Sequence, residues 1–163
     1  MKTLLILRHA KSDWSEEARD DHDRPLNARG KRDAPRIGRL LADEGLLPDH
    51  IISSTAKRAR RTAKKVAAAA GFDGPLELTA ALYLAAPEQY LAALRGVAEP
   101  EQTVMVVGHN PGLESLLQLL TGNPERLPTA ALAQVELPIA TWSQLAADTR
   151  GKLIRLWRPR EMS

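Results

Sequence analysis

The sequence predicts an α/β protein: a three-layer α/β/α sandwich in which helices cover both faces of a mostly parallel central sheet. Two observations predict this fold class. Short apolar runs alternate along the chain with longer amphipathic stretches, and the runs that look like strands are separated by helices. With 163 residues, the chain suits one domain, residues 1–163, that buries a sizeable core.

The first strand and the first helix have clear signals. Leu4–Leu7 is a short, fully apolar run, typical of a buried strand. Residues 29–44 have a helical period that puts three apolar residues on one face, Ile37, Leu40 and Leu41. Pro35 predicts a kink or a late helix start, and Gly45 is placed to end the helix.

The remaining elements follow in the same alternation. We expect strands at 50–54, 76–82, 103–108, 133–139 and 152–159, and helices at 56–70, 87–97 and 112–122. The run at 103–108 is the strongest strand signal because it is β-branched, apolar and uncharged. The last two strands read as a closing pair.

Composition excludes several kinds of site. The chain has no cysteine, so disulfides, thiolate metal sites and cysteine nucleophiles are excluded together. The apolar run near the N-terminus is too short for a signal peptide, and no stretch approaches the roughly 20 apolar residues of a membrane helix. We therefore expect a cytoplasmic protein without a membrane partner. A net charge of +3 mildly favours anionic partners.

Chemistry is expected where the central strands end, because parallel sheets bind ligands at the carboxyl ends of their strands. Arg8 and His9 follow the first strand, Arg58 lies in the first turn of the helix after the second, and His109 follows the strand at 103–108. Two arginines and two histidines that converge there would form a cationic cup. A dianionic phosphoryl group is its natural occupant, since guanidinium donors match phosphoryl oxygens.

The turn "GHNPG" strengthens this prediction. Asn110 precedes a proline, which favours an extended backbone, and its side chain can cap the helix that follows. Pro111 suits the first helical position. The N–H groups of that helix would then lie near His109.

Other charged segments have simpler explanations. The basic run Lys57–Lys65 is mostly a solvated helix face, and only its first turn can reach the strand ends. The acidic segment "DDHD", Asp20–Asp23, offers consecutive residues and no second cluster, so we expect no metal site there. A lone histidine at a strand end is usually structural; two histidines at two central strand ends, one of them preceded by an arginine, favour a functional site.

Three motifs together resemble the histidine phosphatase superfamily: "LILRHA", "SSTAKRARRTA" and "VVGHNPGLE". Its conserved Arg-His pair, helix arginine and late histidine match Arg8, His9, Arg58 and His109. "RHAKSDW" and "RPLNARG", residues 24–30, resemble the SixA-type phosphohistidine phosphatase branch. The resemblance covers nearly the whole chain, most strongly residues 1–122, and implies a phosphoglycerate mutase-like fold.

The resemblance implies a phosphohistidine phosphatase that acts on a phosphorylated partner protein. His9 would be the nucleophile and form a phosphohistidine intermediate, while Arg8, Arg58 and His109 hold the phosphoryl oxygens. No metal or cofactor is required. Arg24 either contacts substrate or anchors its loop through an ion pair with a nearby aspartate. The chain has no long insertion to form a lid, which favours an open cup.

The sequence departs from the family pattern in two ways. Ala10 stands where the superfamily usually has glycine, which a negative φ would tolerate. The segment Leu82–Tyr90, where many relatives carry a general acid, is short, and Glu88 is its single carboxylate. Without an acid, the site suits a phosphoramidate better than a phosphate ester, because an alkoxide needs a proton to leave.

Two alternatives stay open. The protein could be a sugar or nucleotide phosphatase of the same superfamily, with Glu88 or Asp13 as acid. It could also be a non-catalytic phosphate- or nucleic-acid-binding module that uses Lys57–Lys65. The low aromatic content, 4%, argues against nucleic acid as a partner. The sequence does not indicate the oligomeric state.

Overall fold

A computed structural model describes residues 1–14 and 20–162. Strands and helices alternate along most of the chain. The strands are β1 Lys2–Arg8, β2 His50–Ser54, β3 Leu76–Thr79, β4 Thr103–Gly108, β5 Leu132–Leu137 and β6 Lys152–Trp157. The helices are α1 Ala28–Asp43, α2 Lys57–Ala70, α3 Pro87–Arg95 and α4 Gly112–Thr121. Among the described residues, no helix is both long enough and apolar enough to span a membrane.

The six strands form one sheet in the order β3-β2-β4-β1-β5-β6. The first four are parallel to one another, and β5 and β6 add an antiparallel edge. The fold class expected from the sequence is confirmed. In the central pair, Arg8 of β1 lies opposite Gly108 of β4. The next residues along both strands, His9 and His109, therefore emerge side by side.

The two faces of the sheet bury different side chains of the same strands. Leu5 and Leu7 of β1 pack into a cluster with α1 and α2, whereas Leu4 and Ile6 pack into a cluster with α3 and α4. All four side chains are fully buried. A strand covered on both faces reads as a continuous apolar run, and its rigid burial fixes the position of the residues at its end.

Helix α1 begins at Ala28, well before Pro35, so the proline does not delay its start. The side chain of Asn27 accepts a hydrogen bond from the N–H of Gly30 at 2.9 Å and caps the helix before Ala28. Pro35 therefore lies inside the helix, and the late-start prediction is wrong. Gly30 has a second constraint, because a β-carbon there would collide with the carbonyl oxygen of Lys11. The start of α1 thus packs directly on the loop after β1.

The turn before α4 differs from its prediction. The Asn110 side chain does not cap the helix: its Nδ2 donates to the carbonyl of Leu127 at 2.8 Å. Pro111 is the residue before the helix, which begins at Gly112. The amide of Asn110 is turned toward the loop that carries Leu127, so it holds that loop against the carboxyl end of the sheet.

The third strand is shorter than its apolar pattern indicated. It ends at Thr79, where the hydroxyl accepts a hydrogen bond from the N–H of Ala81 at 3.2 Å. A short 3-10 turn at residues 80–82 follows. This turn brings Tyr83 toward the carboxyl end of the sheet.

Candidate active site

The four residues predicted for the cationic cup come together at the carboxyl ends of β1 and β4 and the start of α2. We call Arg8, His9, Arg58 and His109 the cup. The ring centroids of His9 and His109 are 5.2 Å apart. Arg58 and both histidines are buried, with at most 6% of each residue exposed. Arg8 is half-buried.

His9 is held in one orientation and one protonation state. Its Nδ1 lies 2.7 Å from the carbonyl oxygen of Ala10. A carbonyl can only accept, so Nδ1 carries the proton of the neutral ring and Nε2 keeps its lone pair. Burial is the main cause that lowers the pKa of His9 to about 3. The backbone hydrogen bond to Ala10 opposes this shift, and the charges of His109, Arg58 and Arg8 each lower the pKa by a smaller amount. The ring is therefore neutral at physiological pH.

His109 is anchored by a serine at the end of β2. Its Nε2 lies 2.8 Å from Oγ of Ser54, and the same oxygen accepts a hydrogen bond from the N–H of Ala56 at 3.1 Å. Burial, followed by the charge of Arg58, lowers the pKa of His109 to about 3. This ring is also neutral, and the Ser54 contact leaves its Nδ1 available.

Asp21 holds Arg58 in place. Nη1 of Arg58 donates to the backbone carbonyl of Asp21 at 2.7 Å, and Nη2 donates to its Oδ2 at 3.0 Å. The hydroxyl of Tyr83 also donates to Oδ2. Partial desolvation favours the neutral acid, but the hydrogen bond from Tyr83 and the charge of Arg58 outweigh it and bring the pKa of Asp21 to about 2. Asp21 is therefore ionised.

Three side-chain nitrogens of the cup lack partners among the described residues, and the one on His109 is an N–H donor in the tautomer whose Nε2 accepts from Ser54. Nε of Arg8, Nε of Arg58 and Nδ1 of His109 are buried and have no hydrogen-bond partner among them. Buried polar groups are nearly always paired, because a lost hydrogen bond in a water-excluded site is costly. Three unpaired donors in one cationic cup match the oxygens of a tetrahedral anion.

Ala10 fits without strain. The φ angle of Ala10 is not positive, and its side chain is fully buried. Its N–H donates to Oγ1 of Thr62 at 2.9 Å, and that hydroxyl donates to the carbonyl of Arg58 at 2.7 Å. Thr62 therefore ties the loop that carries His9 to the helix that carries Arg58.

Arg24 makes the anchoring contacts that the sequence offered as one of two alternatives. Its Nε donates to Oδ1 of Asp21 at 3.1 Å, and its Nη1 donates to Oγ of Ser12 at 2.8 Å. The guanidinium also lies 3.3 Å from the centre of the Trp14 ring. These contacts describe a buried loop anchor that shares Asp21 with Arg58. A contact between Arg24 and substrate stays a prediction.

Four further residues belong to the site and were not predicted from the sequence: Asp21, Tyr83, Ser54 and Thr62. Asp21 lies in the acidic segment 20–23, for which the sequence predicts no metal site and no contact with the cup. Among the described residues, no group of three acidic, histidine or cysteine side chains could hold a metal. Tyr83 lies in the segment where a general acid was sought. Its ring centroid is 5.6 Å from that of His109 and 5.0 Å from that of His22.

The two carboxylates proposed as acids lie in different places. Glu88 is exposed in the first turn of α3. Asp13 lies in the loop after β1, where its N–H donates to the carbonyl of Pro25 at 2.8 Å. An acid role for either stays a prediction. Among the described residues, Asp21 is the carboxylate that is hydrogen-bonded to the cup, and in its ionised state it has no proton to donate.

The chain is similar to proteins and structures of one family. The model of the histidine phosphatase superfamily (branch 1) matches residues 4–83. An uncharacterised chloroplastic protein of Arabidopsis thaliana is 34% identical over 160 residues, which cover 90% of this chain and 71% of that protein.

Two solved structures have the same architecture over almost the whole chain. One, from Agrobacterium tumefaciens, is provisionally assigned as the phosphohistidine phosphatase SixA; it is 33% identical, with a TM-score of 0.83, and the match covers 97% of this chain and 98% of that one. A second, from Nakamurella multipartitia and with the same provisional assignment, is 28% identical with a TM-score of 0.83, covering 97% and 96%. The chain belongs to the histidine phosphatase superfamily, in its SixA-type branch.

Proposed function

We propose that this protein is a phosphohistidine phosphatase, which removes the phosphoryl group from a histidine of a partner protein. Its membership of the superfamily supports a phosphatase activity. One observation carries the proposal: a neutral His9, fixed through Ala10, lies beside three buried N–H donors without partners. That arrangement supplies a nucleophile and an anion site together.

In the first step, Nε2 of His9 attacks the phosphorus atom. A bond forms between Nε2 and phosphorus as the bond from phosphorus to the substrate's imidazole nitrogen breaks. The leaving nitrogen keeps the bonding electron pair, and the freed imidazole takes its proton from solvent. The hydrogen bond from Nδ1 to the Ala10 carbonyl stabilises the positive charge that the His9 ring gains in the phosphohistidine intermediate.

In the second step, water attacks the phosphorus of the intermediate. The bond between phosphorus and Nε2 breaks, His9 regains its lone pair, and inorganic phosphate is released. In both steps the side chains of Arg8, Arg58 and His109 hold the equatorial oxygens and balance the charge that builds up on them. With Ser54 donating to Nε2 of His109, Nδ1 of that ring is an N–H donor.

The choice of substrate class rests on the leaving group. An alkoxide needs a proton from a general acid, which contributes a factor of about 10² to 10⁴ in rate. Asp21, the carboxylate hydrogen-bonded to the cup, is held ionised by Tyr83 and Arg58. The imidazole of phosphohistidine leaves more readily. The provisional assignment of the structurally similar Agrobacterium tumefaciens protein supports the same substrate class.

Rates on a panel of small substrates test this function. We expect kcat/KM for free N-phosphohistidine to exceed that for glucose 6-phosphate by at least about 100-fold, the lower bound for a missing general acid. p-Nitrophenyl phosphate is the matched control: it is an ester whose phenolate leaves without a proton, so it should be hydrolysed as well. If glucose 6-phosphate reacts as fast as phosphohistidine, the protein is a small-molecule phosphatase with an acid that the proposal does not include.

A further inference from the structure

A basic cleft opens beside the cup and shares one residue with it. The cleft has a volume of 560 Å³, and Arg8 forms part of its wall. An anion bound in the cleft would therefore lie next to the phosphoryl group in the cup. The lining residues are Arg8, Lys11, Arg29, Glu114, Arg126, Leu127, Pro128, Thr129, Arg158 and Arg160.

The charges in this wall are strongly unbalanced. Six of the lining side chains are cationic, and Glu114 is the one carboxylate among them. The carboxylate of Glu114 already has a hydrogen-bond partner, since its Oε2 accepts from the N–H of Leu127 at 2.7 Å. Like charges held this close repel one another, which favours a bound anion.

Apart from Arg8, which belongs to the cup, two of the cations have carboxylate partners and three do not. Arg29 lies 3.5 Å from Asp33, and Arg158 lies 3.2 Å from Glu125. Within the part of the chain that the structure describes, Lys11, Arg126 and Arg160 form no ion pair. Their positive charge is therefore available to a ligand.

The three unpaired cations come from separate parts of the chain. Lys11 follows β1, Arg126 lies in the loop before β5, and Arg160 follows β6. Charges distributed around a cleft of 560 Å³ suit an anion larger than a single phosphate. The lining has no aromatic side chain to stack on a nucleobase, and Arg126 and Arg160 are exposed. Exposed charges of this kind guide and orient a charged protein surface.

We propose that this cleft docks an acidic surface of the protein that carries the phosphohistidine. The inference rests on the proposed function, because it identifies the kind of partner that the cup would serve. Carboxylates of the partner would pair with Lys11, Arg126 and Arg160 while its phosphohistidine enters the cup. The cleft thereby selects acidic partners and brings the phosphoryl group next to Arg8.

The test uses two synthetic peptides that differ in charge alone. Each has one histidine, flanked in one peptide by six glutamates and in the other by six glutamines, and binding is measured by fluorescence anisotropy. We expect the full-length protein to bind the glutamate peptide at least about tenfold more tightly than the glutamine peptide at low salt. The preference should shrink as salt is raised to about 0.5 M, because exposed charges are screened.

Charge reversals locate the binding surface. The double variant Arg126→Glu/Arg160→Glu should lose the preference for the glutamate peptide. Its matched control is Arg61→Glu/Lys64→Glu, which makes the same change of charge on the exposed face of α2 and should keep the preference. The proposal is overturned if the unaltered protein shows no preference, or if both double variants lose it equally.

Turnover of the phosphorylated peptides separates this inference from the proposed function. Hydrolysis of both peptides with equal kcat/KM would overturn the docking surface and leave the phosphohistidine phosphatase intact. Preferential binding of the glutamate peptide without hydrolysis of either phosphorylated peptide would overturn the proposed function. The cleft would then be a binding site for acidic peptides without phosphatase activity. A higher kcat/KM for the phosphorylated glutamate peptide, lost in Arg126→Glu/Arg160→Glu, supports both.

Discussion

Asp21 binds Arg58 with both its backbone carbonyl and its carboxylate, at 2.7 and 3.0 Å. These two bonds engage one N–H group on each terminal nitrogen of the guanidinium, and its Nε is unpaired in the cup. Asp21 therefore fixes the plane of Arg58 and decides which of its donors can meet a phosphoryl oxygen.

Removing the charge of Asp21 should impair the site through Arg58. In Asp21→Asn, a charged hydrogen bond to Arg58 is replaced by a neutral one, so we expect kcat/KM to fall about 10- to 100-fold, as for loss of a charge-assisted hydrogen bond. Tyr83→Phe is the matched control, because it removes another hydrogen bond to the same carboxylate and keeps the ring. It should cost less than about fivefold in kcat/KM, under 1 kcal/mol. Equal kcat/KM for Asp21→Asn and the unaltered protein would refute this positioning role.

Ser54 should matter for catalysis more than its neighbour does. Ser54→Ala removes the partner of His109 Nε2, so the ring can reorient, and we expect kcat/KM to fall about tenfold. Ser53→Ala is a matched control, since Ser53 is equally buried but bonds to the Ser54 carbonyl. Both variants should lose about 1 kcal/mol of unfolding free energy. A similar loss of kcat/KM in both would mean that Ser54 acts through stability alone.

Restoring the family's usual glycine at position 10 should cost stability and gain no activity. Ala10 is fully buried and its φ is not positive. Ala10→Gly removes a buried methyl group and raises the conformational entropy of the unfolded chain. The free energy of unfolding should therefore fall by about 1–2 kcal/mol. Urea denaturation measures this loss, and steady-state kinetics should show kcat/KM within about threefold of the unaltered protein. A large gain in kcat/KM would show that the methyl group obstructs the cup.

Acid should destabilise the protein through the two buried histidines. The pKa values of His9 and His109 are lowered to about 3, whereas unfolded histidines titrate near 6.5. Below that pH the unfolded state takes up protons that the folded state does not, so stability present at neutral pH is lost as the pH falls toward 3. Each histidine contributes a slope of about 1.4 kcal/mol per pH unit.

Urea denaturation between pH 7 and pH 4.5 measures this slope. His9→Asn replaces one titrating ring with a neutral amide, so its unfolding free energy should fall less steeply by about 1.4 kcal/mol per pH unit. His22→Asn is the control for the loss of a histidine, because the His22 side chain is partly exposed whereas that of His9 is buried. An unchanged slope in His9→Asn would mean that His9 is not held neutral by burial.

The sequence predicts the cup because its residues directly follow strong strand signals. Arg8, His9 and His109 are placed by the apolar runs before them, and Arg58 by the first turn of a helix. Local pattern is sufficient for these positions, since the carboxyl ends of adjacent parallel strands meet in space. The alternation of apolar runs and amphipathic stretches likewise predicts the succession of strands and helices along the chain.

The supporting residues could not be found in the same way. Asp21 reaches Arg58 from 37 positions away, and Tyr83 reaches Asp21 across 62 positions. Such contacts depend on how loops fold over the strand ends, and the hydrophobic periodicity of the sequence carries no information about that folding. Asn110 shows the converse: local capping preference predicted an intrahelical contact, and a tertiary hydrogen bond to Leu127 replaced it.

The central claim is that His9 carries the phosphoryl group, and trapping the intermediate tests it most directly. The protein is mixed with radiolabelled N-phosphohistidine, quenched in base, and mapped by mass spectrometry, with ³¹P NMR to identify the phosphorylated nitrogen. We predict an acid-labile, base-stable phosphoryl group on Nε2 of His9, absent from His9→Asn together with turnover. Label on another residue, or full turnover by His9→Asn, would contradict the mechanism.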